Sequence, residues 1–293
     1  MSTIAIGWLS ALLAAVLWGS YLVPVRQRPA VDPNSFQMAM AIGILGFGLL
    51  VAIATGQWRI EGWGLLSGVI WAAGSASSIR AVQGLGLARG LACWASVSIL
   101  ASAAWGVIAF REPVTIGWAI AGTLTMAAGV AAIGASTASP RTDLKPQDWL
   151  LAAMTGLLFG SQAVPFRLSG LGPTEFLLGM SVGIFGAALV AIALGRKRMD
   201  WSLLGPGSAA GVAWNVANLS SCFTVVYLGM AVGMPATQLA IVVNNAWAAF
   251  YFKEVRNPRV LKQLAGGSAL MLAGIILLGI ALNGPPPTLP STP

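Results

Sequence analysis

Trp214, Asn218 and Ser221 stand at i, i+4 and i+7, so on a helix an indole plate, an amide and a hydroxyl share one stripe. Such a stripe suits a polyhydroxylated ligand. Amides and hydroxyls both donate and accept hydrogen bonds, and an indole face gives C–H groups a large apolar platform. Trp71, Ser75 and Ser78 repeat the spacing earlier in the chain. Gln162, and Gln238 with Asn245 two helical turns later, add further amides. Asn244 and Asn245 are adjacent and cannot both face one pocket. All of these residues lie within apolar stretches, where an amide is costly unless it meets a partner helix or a wet cavity. The competing use is interhelical bonding, typically about 0.6 kcal/mol each, with Trp as an interfacial anchor. Both uses stay open at this point.

Charged and backbone-breaking residues suggest a second kind of chemistry. Pro24 and Pro165 each remove a backbone donor and break a helix near its end; irregular backbone at membrane depth is tolerated beside a wet cavity. These ends are candidate gates, with Arg26 and Arg167 as caps or gate charges, or plain helix termini with interfacial arginines. Glu112 and Glu254 directly follow Arg111 and Lys253 and are read either as neutralised interfacial pairs or as sites of proton exchange. Arg80, inside a span end, is a candidate selector for an anionic solute. The chain has no His and no metal-spaced Cys cluster. An intramembrane enzyme needs a converging nucleophile, base or metal site. No enzyme, metal or cofactor is therefore expected.

The elements that must hold these groups follow from composition. Of 293 residues 57% are apolar and only 8% charged, far below the quarter usual in soluble domains. The net charge of +8 does not form one basic face, which argues against nucleic acid and for topology signals. Cys93 and Cys222 lie in apolar segments and are expected to be free. The N-terminus lacks a basic n-region, so the first span is expected to be retained.

About 20 apolar residues cross a bilayer as helix. Ten runs qualify: Ile4 to Val25, Ser35 to Thr55, Gly62 to Gln83, Ala88 to Phe110, Ile116 to Ala135, Trp149 to Phe166, Thr174 to Leu194, Leu203 to Val226, Ala231 to Phe252 and Val260 to Leu282. Alternating the connections puts Arg26, Arg28, Arg80, Arg89, Arg141, Lys145, Arg196, Lys197, Arg198, Lys253, Arg256, Arg259 and Lys262 on one side. Only Arg59, Arg111 and Arg167 face the other. The richer side is assigned to the cytoplasm, which predicts both termini outside it in a cell-membrane protein.

The chain also repeats. WGSYLVPVR from Trp18 recurs as FGSQAVPFR from Phe159, and the segment from Gly68 aligns with that from Gly211. Phe110-Arg111-Glu112 matches Phe252-Lys253-Glu254, and Phe36, Met40, Gly43 and Gly46 match Phe176, Met180, Gly183 and Gly186. The expected organisation is a first five-helix repeat over 1–135, a linker over 136–147, a second repeat over 148–283 and a Pro-rich tail over 284–293. An odd number of spans per repeat predicts an all-α membrane protein of ten helices in two inverted halves, an architecture suited to alternating access. The glycine pairs Gly64/Gly68, Gly207/Gly211, Gly86/Gly90 and Gly229/Gly233 are read as packing surfaces.

With GSxxVPxR closing the first span and W-x-x-x-N/S running into LG-x-A-x-G, the chain resembles the drug/metabolite transporter superfamily. Within it, the resemblance is to the glucose/ribose porter group of glucose uptake proteins and rhamnose permease, from about Trp8 to Leu282. In those relatives Trp is followed four residues later by Asn in the third and eighth helices. Trp214 and Asn218 keep that pattern, and Trp71 is followed by Ser75 instead. The resemblance implies a ten-helix fold and uptake of a monosaccharide, commonly with protons. The expected partners are a small-molecule solute and the lipid bilayer, and the cavity is expected among spans one, three, four, six, eight and nine. Export of amines, amino acids or other metabolites is the alternative on this scaffold; a membrane subunit that moves no solute is the other.

Overall fold

A computed structural model of the chain describes residues 2–24, 26, 31–137, 144–195 and 199–282. Of the expected topology charges, Arg28, Arg141, Arg196, Lys197 and Arg198 lie outside the described residues, as do Val25, residues 138–143 of the linker and the tail over 284–293. Eleven α-helices are described: α1 (Thr3–Ser20), α2 (Pro33–Thr55), α3 (Gly62–Leu85), α4 (Leu87–Ala104), α5 (Ile116–Thr137), α6 (Pro146–Ser161), α7 (Val164–Ser169), α8 (Pro173–Gly195), α9 (Leu204–Thr237), α10 (Ala240–Ala246) and α11 (Pro258–Ala281). Helix starts carry chemical signals. Asp32 accepts the Ser35 amide ahead of α2, and Asn257 accepts the Arg259 amide ahead of α11, each followed by a proline in the first turn. Both α4 and α10 run on into a five-residue π-turn, Trp105–Ala109 and Trp247–Tyr251.

Among the described residues nine helical segments are long and apolar enough to cross a membrane. Eight match expected spans. The expected eighth and ninth spans fall together in Trp201–Tyr251, 51 residues long. Straight helix of that length would run about 77 Å, over twice the hydrocarbon thickness. The segment bends instead, with Gly229 at φ 75 and ψ 174 inside α9. Its sequence counterpart Gly86, at φ 81 and ψ 160, separates α3 from α4. Glycine tolerates positive φ because it has no Cβ. The expectation that Gly86 and Gly229 are packing surfaces is thus corrected: they are where the helices break.

Other glycines do pack helices closely. A Cβ on Gly68 would sit 2.5 Å from the Met180 carbonyl oxygen, joining α3 to α8, and one on Gly211 would meet the Met40 carbonyl, joining α9 to α2. Gly122 and Gly129 of α5 meet Gly274 and Gly267 of α11 in the same way. The remaining principal contacts set α1 against α9 and α10, α2 against α8, α6 against α3 and α4, and α4 against α5. One core gathers Trp71, Trp214, Phe166, Phe176 and Met180; a second lies around Ile99, Met126 and Met271. Large apolar side chains such as Leu50, Ile53, Ile108, Leu194 and Phe250 stay exposed, the outward face expected when lipid is the solvent.

Candidate functional site

At the centre of the first core the Trp71 and Trp214 ring centroids lie 4.5 Å apart, and Trp18 stands 6.1 Å from Trp214. Trp71 comes from α3, Trp214 from α9 and Trp18 from α1, so three helices supply one aromatic platform. Beside it Asn218 Nδ2 donates to Met180 Sδ at 3.2 Å, a weak acceptor, and Ser67 Oγ donates to the Gln162 carbonyl at 2.6 Å. Ser221 Oγ donates to the Asn218 carbonyl at 2.7 Å. Ser67, Gln162, Phe166, Asn218 and Ser221 line a cavity of about 10 Å³, room for one water. Two polar atoms at this centre are buried without a protein partner: Trp18 Nε1 and Gln162 Oε1.

The structure therefore brings together Trp71, Gln162, Trp214, Asn218 and Ser221. Ser75 Oγ donates to Gln37 Oε1 at 3.0 Å, and Ser78 Oγ donates to the Ser75 carbonyl within its own helix. Gln238 is not on one continuous helix with Asn245. Its amide caps the end of α9, in a turn that interrupts the helix before α10, so the two-turn spacing no longer applies. Asn245 lines a different cavity, and its Nδ2 is buried without a partner. Asn215 takes the interhelical role, donating to the Ile44 carbonyl at 2.8 Å and to Ser181 Oγ at 3.0 Å. Sequence reasoning passed over Trp18, Ser67 and Met180. The available signal for Trp18 was its place at the head of the repeated WGSYLVPVR element, matched by Phe159, which packs against the same core.

The two proline-marked ends carry the charges. α1 stops at Ser20, with Pro24 in the turn beyond it; α6 stops at Ser161, and Pro165 opens the separate short helix α7. Glu254 pairs with Arg26, not with adjacent Lys253: Arg26 Nη2 and Nε donate to its two oxygens at 2.7 and 3.0 Å. Arg26 Nη1 also donates to Asn244 Oδ1 at 2.9 Å, and its guanidinium lies over Phe252. Glu112 likewise ignores Arg111. Its oxygens accept from the Met230 and Ala231 amides at 2.8 and 2.7 Å, with Arg167 Nη2 at 3.8 Å. Arg111 and Lys253 instead adopt left-handed backbone, φ 48 and 54, which turns each carboxylate away from its neighbour's side chain. Burial pushes the Glu112 carboxyl above its ordinary value, while the two amides and Arg167 pull it down.

On the Glu254 side a cavity of about 590 Å³ opens between Arg26, Gly86, Ala88, Asn244, Asn245 and Glu254. That volume is within the range of small-molecule sites. Arg80 is exposed and lines a separate open groove with Lys145 and Asp148, apart from the aromatic platform.

Residues 9–281 match the family model described as sugar transport protein. A Bacillus anthracis protein provisionally named for sugar uptake is 26% identical over 94% of this chain and 99% of its own length. The glucose uptake protein GlcU of Bacillus subtilis is 23% identical, covering 93% and 98%. A solved crystal structure shares the fold, with a TM-score of 0.71 at 16% identity over 92% of this chain and 95% of that one.

Proposed function

Because the chain belongs to the sugar transport protein family, we propose that it takes up a neutral monosaccharide by alternating access, seating it on the Trp18, Trp71 and Trp214 rings. The observation that carries this reading is two buried, unpartnered polar atoms, Trp18 Nε1 on the platform and Gln162 Oε1 of a residue lining the small cavity. Buried polar groups are nearly always bonded. A sugar hydroxyl both accepts and donates and so meets both needs, while its C–H face lies on indole.

Alternating access follows from reading 1–135 and 148–283 as inverted halves of ten crossings, with Trp201–Tyr251 crossing twice about Gly229. Helix packing supports this. Exchanging the halves turns the α2–α9 contact into α8–α3, and the α5–α11 contact into itself. The central cavity is too small for a sugar while the 590 Å³ cavity is not, as expected of a carrier open on one face. The Lys/Arg bias makes that face cytoplasmic. Proton coupling belongs to the same reading, with Glu112, whose carboxyl burial raises above its ordinary value, as the candidate acid.

The test is uptake of radiolabelled glucose, ribose and rhamnose by proteoliposomes, with and without an imposed pH gradient. We expect flux of at least one, stimulated by an inward-directed proton gradient, and a loss of about tenfold or more in Trp214→Ala, since large-to-small changes at a stacked aromatic forfeit several kcal/mol. Absence of monosaccharide flux in the unaltered protein would reject the reading.

A further inference from the structure

The two carboxylates at the gates occupy equivalent places in the sequence and different places in the structure. Glu112 and Glu254 each follow a π-turn and a left-handed residue. Trp105 Nε1 donates to Ser161 Oγ at 2.9 Å, and its counterpart Trp247 donates to Ser20 Oγ at 2.8 Å. Up to this point both faces are built alike. They differ in what holds the carboxylate. Glu112 sits on the helix N-terminus that follows Gly229, bonded to two amides and 3.8 Å from Arg167, whose buried Nε has no partner. Glu254 is held by both Nε and Nη2 of Arg26, beside the open cavity. The matching helix N-terminus, after Gly86, lines that same cavity. Met230, on the docked face, is 0% exposed, whereas its counterpart Leu87 is 65% exposed.

We propose that each carboxylate has two berths, the arginine at the end of the other half's first helix and the N-terminus following the matched glycine, and that exchanging berths opens one face as it closes the other. In the form described, Glu112 is docked and its face is shut; Glu254 is parked on Arg26 and its face is open. In the alternate form Glu254 moves onto the Leu87 and Ala88 amides, where the helix dipole and two N–H groups receive it. Glu112 leaves for Arg167 and supplies the partner that Arg167 Nε lacks. One residue makes the two closures unequal. A Cβ on Gly106 would collide with the Ala231 amide nitrogen, so closure on the Glu112 face requires glycine there. Its counterpart Ala248 carries that Cβ, which keeps the Glu254 face from closing as tightly and favours the observed form.

The switch rests on the alternating-access reading, and its test separates the two. In protein with Cys93→Ala and Cys222→Ala, Leu87→Cys reports the open face through its rate of reaction with a water-soluble maleimide. Labelling is expected to be fast, to slow about threefold or more in Glu112→Gln as the population moves, and to recover when Glu254→Gln is added. Ala248→Gly alone slows it too, with no charge altered. Should Glu112→Gln unfold the protein, labelling rises instead, and Ala248→Gly decides: slowing upholds the switch and an unchanged rate overturns it. A rate indifferent to both changes, or slowed by Glu112→Gln whether or not Glu254 is present, also overturns it. Sugar flux measured on the same Leu87→Cys protein is read independently. Flux beside an indifferent thiol rejects the switch alone; a responsive thiol without flux rejects the sugar and keeps the switch.

Discussion

Trp18 separates a binding role from a packing role more cleanly than any other side chain at the platform. Its ring is 6.1 Å from Trp214, and its Nε1 is buried without an acceptor. A buried unsatisfied donor costs about 1–3 kcal/mol, so Trp18→Phe, which keeps an aromatic ring and deletes the N–H, is expected to leave the thermal unfolding midpoint unchanged or raised. If Nε1 is there for a sugar oxygen, monosaccharide binding weakens about tenfold in the same variant, the loss of one buried hydrogen bond. Tryptophan fluorescence titration and thermal unfolding of the purified variant read the two effects; a lowered midpoint with unchanged affinity would make Trp18 a packing residue. The stripe of Trp214, Asn218 and Ser221 was legible in the sequence because helical spacing alone aligns it. Trp18 carried only the repeated WGSYLVPVR element as a signal, since its partners stand on α3 and α9 and helical spacing within α1 does not point to them.

Glycines that look alike in sequence divide into three kinds once the helices are packed. Gly43 and Gly183 carry close contacts to neighbouring backbone, whereas Gly46 and Gly186 face open space. A methyl on Gly43 would meet the Ser208 carbonyl, and backbone cannot step aside as a flexible side chain can. Gly43→Ala is therefore expected to destabilise by about 1–3 kcal/mol, the usual cost of overpacking. Gly46→Ala meets nothing and should be neutral or gain up to about 1 kcal/mol of helix propensity. Thermal unfolding of the two variants in one detergent checks the contrast; equal effects would mean that the α2–α9 approach is looser than described. The third kind, Gly86 and Gly229, breaks helices through positive φ. Four-residue spacing could not tell it from a packing pair, because spacing records which face a residue occupies and not its backbone angles. Hydrophobic length placed the expected eighth and ninth spans on either side of Gly229, at Val226 and Ala231, but could not show that the helix runs on through that glycine as one bent segment of 51 residues.

At the scale of the whole molecule, the number of crossings and the sign of the charge bias make one joint prediction about the termini. Nine helical segments are long and apolar enough to span, one of them 51 residues. If that segment crosses once, the termini lie on opposite sides of the membrane. If it crosses twice about Gly229, they lie on the same side. Its length favours two crossings, because a single crossing uses about 20 residues and would leave some thirty apolar ones in water. The Lys/Arg distribution, thirteen on the Arg26 side against three on the Arg167 side in the alternating reading, then predicts both termini outside the cytoplasm. Paired reporters, one fused to each terminus in separate copies of the chain and active only on one side of the membrane, are expected to agree and to read extracytoplasmic. Opposite readings would leave an odd number of crossings, and the two halves could not then be inverted copies. Agreement on the cytoplasmic side would preserve the even count and reverse the faces, so that the cavity beside Arg26 and Glu254 would open outward.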